Sequence, residues 1–259
     1  MKAVLRLAVV MTILAASVEA SIVTKNIEYK QGSTILEGYL AYDDALQGKR
    51  PGILIVHEWK GLNAYAKMRA DTLAKLGYVA FALDMYGKGV RPQTNEEASA
   101  EASKFYKDIP LMRERAIAGL DELKKQPNVD TTRLAAIGYC FGGKTVLELA
   151  RSGANLKGVV SFHGGLAATN PGDASNIKAK ILVCHGGSDP NVPMSQVVGL
   201  SDELTAAGVD FQIIIYSQAV HGFTNPDNGN DPSKGVAYNE SADHRSWAAM
   251  RTFFDEIFK

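Results

Sequence analysis

Six short runs in this chain are almost wholly apolar and bounded by turn residues: Gly52–Val56, Tyr78–Leu83, Arg133–Ile137, Leu156–Phe162, Lys180–Cys184 and Phe211–Tyr216. A strand with one wet face alternates apolar and polar residues, whereas a strand covered on both faces does not. These runs therefore read as doubly buried strands. Segments with helical spacing stand between them. Asn63 can cap a helix with apolar positions Tyr65, Met68, Leu73 and Leu76, closed by Gly77. Glu96–Tyr106 and Leu111–Lys125 read as two helices separated by Pro110, and Gly143–Arg151, Ser195–Ala207 and Glu240–Phe258 as three more. Buried strands alternating with helices predict an α/β fold: a mainly parallel, doubly wound sheet with helices on both faces. A hairpin, Ile22–Tyr29 and Thr34–Ala41 around Gln31-Gly32-Ser33, precedes it.

Met1–Ala20 reads as a secretory signal. Lys2 and Arg6 supply positive charge, Leu7–Ala16 is apolar, and Val18-Glu19-Ala20 resembles a cleavage site. The apolar run is shorter than the about 20 residues of a membrane span, so no stable anchor is expected. The expectation is a single domain over residues 21–259, secreted or periplasmic, as a monomer or weak homodimer. Lys and Arg number 28 and Asp and Glu 28, so the basic excess that nucleic acid requires is absent. The two cysteines exclude a disulfide scaffold or a Cys-rich zinc site, and the histidines lack metal-ligand spacing. No metal or cofactor is expected.

Ala136-Ile-Gly-Tyr-Cys-Phe-Gly-Gly143 carries the strongest chemical signal. A buried strand runs into Gly138-x-Cys140-x-Gly142 and then a helix, which is the nucleophile-elbow pattern with cysteine in the serine position. Side chains at the two glycines would strike neighbouring backbone in so sharp a turn. The helix N-terminus beside the sulfur favours thiolate. The Phe141 N–H points where an oxyanion would form. A buried structural cysteine is the bland alternative, and Cys184, in the apolar run Ile181-Leu182-Val183, reads as one.

A thiol nucleophile needs a base, and the base an acid. Asp189 and His221 each follow a predicted parallel strand, at the sheet edge where open α/β sheets bind ligands, in the order nucleophile, acid, histidine. His57, His163 and His185 also lie near strand ends and read as residues that shape the site or satisfy buried backbone groups. His244 reads as solvated. Asn225–Gly235 reads as a flexible, solvated surface loop.

Gly138-Tyr-Cys-Phe-Gly-Gly143, His185-Gly-Gly-Ser-Asp189, His221-Gly-Phe223, Val56-His-Glu-Trp-Lys-Gly61 and Asp84-Met-Tyr86 together resemble the dienelactone hydrolase family of the α/β-hydrolase superfamily. The resemblance implies an α/β-hydrolase fold and a Cys140–His221–Asp189 triad that opens a small-molecule ester or lactone through a thioester. It implies that Glu58 holds the resting thiol and takes its proton. It implies that Trp59 N–H joins Phe141 N–H in the oxyanion hole. Tyr86 falls in a family motif beside the substrate. Members acting on dienelactone hold a substrate carboxylate with two arginines; Lys88 and Asn225 stand there in this chain, which implies weaker carboxylate binding. A non-catalytic small-molecule-binding protein on the same fold is the second reading, and a redox-sensing thiol a third.

Overall fold

The computed structural model describes residues 21–259, and the expected leader lies outside them. One eight-stranded sheet runs through these residues. Its strands are β1 (Ile22–Gln31), β2 (Thr34–Asp43), β3 (Arg50–Val56), β4 (Val79–Ala82), β5 (Val129–Tyr139), β6 (Gly158–Phe162), β7 (Lys180–Gly186) and β8 (Phe211–Tyr216). Their spatial order is β1-β2-β4-β3-β5-β6-β7-β8. β1, β2 and β4 pair antiparallel, and every pair from β4–β3 to β7–β8 is parallel. The mainly parallel α/β fold is therefore the one the apolar runs dictated.

Two cores form because successive strand residues point to opposite faces. Leu54, Val56, Ala136, Val159 and Ile181 pack against α2 (Asn95–Lys107), α3 (Ile109–Lys124), α4 (Phe141–Arg151) and α5 (Met194–Ala206). Ile53, Ile55, Ala135, Ile137, Val160 and Leu182 pack against α1 (Ala64–Lys75) and α6 (Glu240–Ile257). Met250, Phe253 and Phe254 turn inward from α6, with Trp247 half-buried beside them. Among the described residues no helix is long and apolar enough to cross a membrane.

The α2–α3 boundary falls elsewhere than the sequence suggests. Pro110 lies inside the first turn of α3, and Asp108 caps that helix through Leu111 N–H at 3.0 Å. Proline is accommodated there because first-turn N–H groups have no helical acceptor. α4 begins at Phe141, directly after Cys140. Its buried Glu148 meets Arg113 at 2.7 Å, Arg151 at 3.0 Å and Lys144 at 3.2 Å, which ties the helix behind the elbow to α3.

Candidate active site

The elbow has the geometry its glycines require. Cys140 sits at φ 53° and ψ −113°, a conformation few non-glycine residues adopt. A Cβ on Gly138 would lie 2.0 Å from the Gly142 carbonyl oxygen, and one on Gly142 would lie 2.2 Å from the Val56 carbonyl oxygen. Both places admit only hydrogen. Cys140 is half-buried at the floor of a cavity, and both cysteines are free thiols.

Asp189 and His221 converge on that sulfur. His221 Nε2 is 2.9 Å from Cys140 Sγ, and its Nδ1 is 2.8 Å from Asp189 Oδ2. The other Asp189 oxygen accepts from Asn191 N–H at 2.8 Å and Val192 N–H at 3.1 Å, so the carboxylate is anchored by its own turn. Burial disfavours charge on His221, but the Cys140 sulfur and Asp189 prevail and hold its pKa well above the ordinary imidazole value. The histidine's backbone is gripped as well. His221 N–H donates to Gly235 O at 3.3 Å, and Ala237 N–H donates to His221 O at 3.1 Å.

Residues 226–234 are mostly exposed, as expected of a solvated surface loop, and the segment follows a defined course that ends on the histidine. The stretch folds into short 3₁₀ turns at Pro226–Asn228 and Pro232–Lys234 and returns to the histidine. Its Asn225, Asp227, Asn228 and Lys234 line the cavity. Some of its polar side chains bond locally, as when Asn228 Nδ2 donates to Gly222 O at 2.8 Å.

Glu58 and Trp59 follow β3 at the same edge. The Glu58 carboxylate is buried, and Asn225 Nδ2 donates to its Oε2 at 2.6 Å. Burial raises its pKa, opposed by Asn225 and His221. Here the sulfur rests against His221 and the carboxylate against Asn225, so the Glu58–thiol contact implied by resemblance is not the one formed. Trp59 N–H has no internal acceptor among the described residues, and Phe141, first in α4, has no helical one. Trp59 lines the cavity with Cys140, and Phe141 follows Cys140 directly in the chain. His57, beneath them, is neutral. Met85 N–H donates to its Nε2 at 3.2 Å, so its Nδ1–H donates to Glu58 O at 2.5 Å. Burial brings its pKa down to about 4.

Two residues expected to touch substrate lie elsewhere. Lys88 is exposed outside the cavity, its Nζ 2.6 Å from Glu28 and 3.9 Å from Glu37. The β1–β2 hairpin brings those carboxylates alongside, and the ammonium settles on them. Tyr86 is buried, and its hydroxyl donates to Trp59 O at 2.8 Å, so it braces the loop rather than lining the cavity. Asn225 does line it. The cavity measures about 680 Å³. Its wall adds Lys60, Asn63, Asn95 and Asn191, none of which the sequence marked as a site residue. Among the described residues no three His, Cys, Asp or Glu side chains stand close enough to hold a metal.

The model of the dienelactone hydrolase family matches residues 36–258. A solved structure named m3DLH is 42% identical and superposes with a TM-score of 0.89, covering 92% of this chain and 99% of that one. A dienelactone hydrolase-like promiscuous phosphotriesterase from metagenomic libraries is also 42% identical, with a TM-score of 0.87 over 91% of this chain and 98% of its own. A relative from Methylorubrum extorquens named "Putative carboxymethylenebutenolidase" is 30% identical over 187 residues, 68% of this chain and 64% of the relative. Together with the eight-stranded sheet, these matches place the chain in the dienelactone hydrolase family, carboxylic ester hydrolases of the α/β-hydrolase fold.

Proposed function

We propose that the protein is an exported, thiol-dependent hydrolase of small-molecule esters or lactones. The observation that carries this reading is the unbroken line Cys140 Sγ, His221 Nε2, His221 Nδ1, Asp189 Oδ2, with contacts of 2.9 and 2.8 Å. With its pKa raised, His221 holds a proton beside the sulfur, within reach of the group that leaves. The thiolate adds to the ester carbonyl, and the carbonyl oxygen becomes an oxyanion between Phe141 N–H and Trp59 N–H. The C–O bond then breaks as His221 gives its proton to the leaving alkoxide, which leaves a thioester. Neutral His221 takes a proton from water, and the resulting hydroxide attacks the thioester carbonyl. Collapse releases the acid and restores thiolate and imidazolium. Asp189 holds Nδ1–H in place throughout and stabilises the imidazolium.

Lys88 is held by Glu28 and Asn225 by Glu58, so neither position offers a clamp for a substrate carboxylate, while Glu58 and Asp227 face the cavity together with Lys60 and Lys234. Turnover of p-nitrophenyl acetate tests the reading, with an acyl-protein trapped at low pH and located by peptide mass analysis. Loss of both in Cys140→Ala is expected. Full turnover by Cys140→Ala would overturn it, and a protein that binds esters without turnover would be the binding module instead. Export rests on the Met1–Ala20 pattern. N-terminal sequencing of protein recovered outside the cytoplasm tests it, with Ser21 the expected first residue.

One observation favours a second activity on the same sulfur: the 42% identity to the promiscuous phosphotriesterase. A thiolate that adds to a carbonyl can also displace an aryloxide from a neutral phosphotriester. Release of p-nitrophenol from paraoxon, lost in Cys140→Ala, is the expected result.

A further inference from the structure

His163 is among the more constrained residues of the molecule, and the proposed chemistry does not use it. It stands at φ 39°, in the left-handed region, although it is not a glycine. Such a conformation persists where the surroundings over-determine it. Its ring is buried and both nitrogens are engaged. Cys140 N–H, shared with Phe162 O at 3.0 Å, also donates to His163 Nδ1 at 3.1 Å. A backbone N–H can only donate, so Nδ1 is bare and the proton lies on Nε2. Nε2–H then donates to Thr224 Oγ1 at 2.7 Å. Burial, with charge on His221 next, depresses the ring's pKa well below the ordinary value, in keeping with this neutral form.

Thr224 carries the chain of bonds onward. Its hydroxyl is 2.7 Å from the Tyr65 hydroxyl, and its carbonyl accepts from Arg69 Nη2 at 2.8 Å. Arg69 Nη2 also donates to Asp243 at 2.6 Å. These elements come from α1 and α6, on the far side of the sheet from α4. The line of bonds thus joins the main chain of residue 140 to a residue three positions after His221. His163 also sets its ring edge-to-face against His221, with centroids 5.4 Å apart, and against Phe223 at 5.1 Å.

We propose that His163, acting through Thr224, is a positioning residue that fixes the separation between the Cys140 elbow and the His221 loop. This rests on the hydrolase reading only for its turnover arm. The elbow and the histidine loop belong to different strands, and no covalent link sets their spacing. Contact between Sγ and Nε2 depends on that spacing to within a few tenths of an ångström. His163 bridges it with a rigid ring and two directional bonds. A hydroxyl at residue 224 is required, and the methyl group of Thr224 is not.

The experiment compares Thr224→Val, Thr224→Ser and the unaltered protein in two assays. The first is p-nitrophenyl acetate hydrolysis. The second is the rate of Cys140 carboxamidomethylation by iodoacetamide at pH 7, read on the Cys140 peptide. Alkylation needs the His221-activated sulfur but neither an oxyanion hole nor an ester, and His221→Ala supplies its floor. Thr224→Val is expected to lower kcat about tenfold with KM little changed, and to slow alkylation by a similar factor. Thr224→Ser is expected to restore both. If Thr224→Val does not fold, His163→Asn replaces it. Its amide oxygen can accept from Cys140 N–H but cannot span to Thr224, and the same losses are expected. Unaltered kcat and alkylation in a folded Thr224→Val or His163→Asn, or a lowered melting temperature alone, would overturn the inference. If Cys140→Ala instead keeps its esterase activity, the hydrolase reading fails, and the alkylation arm still decides the role of His163.

Discussion

Asn225 and Glu58 stand 167 positions apart in sequence and meet across 2.6 Å, amide donor to carboxylate acceptor, inside the wall of the cavity. The bond explains how an acid can be buried beside a sulfur and an imidazole. It also answers where the Asn225 side chain points. It turns inward, to a partner on the opposite side of the site.

Replacing that donor by an acceptor should be costly in a pH-dependent way. In Asn225→Asp two buried carboxyls face each other, and one must keep a proton. Their folded-state pKa values rise, so folding is favoured below the ordinary carboxylate range and weakened as pH rises through the folded values. The expected deficit against the unaltered protein is about 2–3 kcal/mol at pH 8 and shrinks toward pH 4. Thermal melts across that range measure it, and a deficit that grows toward acid would contradict the assignment.

Asp189→Asn separates orientation from support. The Asp189 Oδ1 bonds to Asn191 and Val192 N–H survive in an amide, so the turn should stand. The second position becomes a donor facing His221 Nδ1–H. The imidazole then has to carry its proton on Nε2, toward the sulfur, and loses its anionic partner. A kcat lower by about a thousandfold or more is expected, with the melting temperature within a few degrees. Activity and melting measured on one preparation decide it.

Lys88→Ala should leave catalysis alone. The ammonium is paired with Glu28 at the exposed hairpin and does not face the cavity. With p-nitrophenyl acetate and mono-p-nitrophenyl succinate as a matched pair, the ratio of the two kcat/KM values reports any contact with a substrate carboxylate. That ratio should not move in Lys88→Ala. A selective loss on the succinate ester would return Lys88 to the site.

The buried histidines make the fold acid-labile. His57 titrates at about 4 in the folded protein against 6.5 when exposed, and His163 and His185 are also depressed by burial. A group depressed on folding contributes stability above its unfolded value and loses it as pH falls toward the folded one. His221 is raised and acts in the opposite sense, one group against three. Stability should therefore drop between pH 6.5 and 4, with His57 alone contributing up to about 3 kcal/mol. His57→Asn is expected to flatten that slope in pH-dependent melts.

Much of this architecture was legible in the sequence because its causes are local. Doubly buried strands announce themselves by apolar runs, and the elbow by glycines whose missing side chains would strike carbonyl oxygens 2.0 and 2.2 Å away. Asp189 and His221 could be placed because each follows such a run. Contacts made by long polar side chains were not legible. Lys88 settles on Glu28 only because β1 and β2 fold beside β4, and nothing near Lys88 in the chain encodes that. His163 looks like any strand-end histidine until its neighbours from residues 140 and 224 are brought to it. Residues 225–235 have the composition of a solvated loop and are mostly exposed, yet they fold into short turns and the segment closes on His221.

That last segment has two duties in one piece of backbone. Asn225, Asp227 and Lys234 line the cavity, while Gly235, and Ala237 just beyond the segment, hold the His221 backbone. On the proposed chemistry, a change of selectivity made in this segment should carry a change of reaction rate with it. An insertion that widened the entrance would slacken the brace, and changes in diet should be found together with compensating changes at the residues flanking His221.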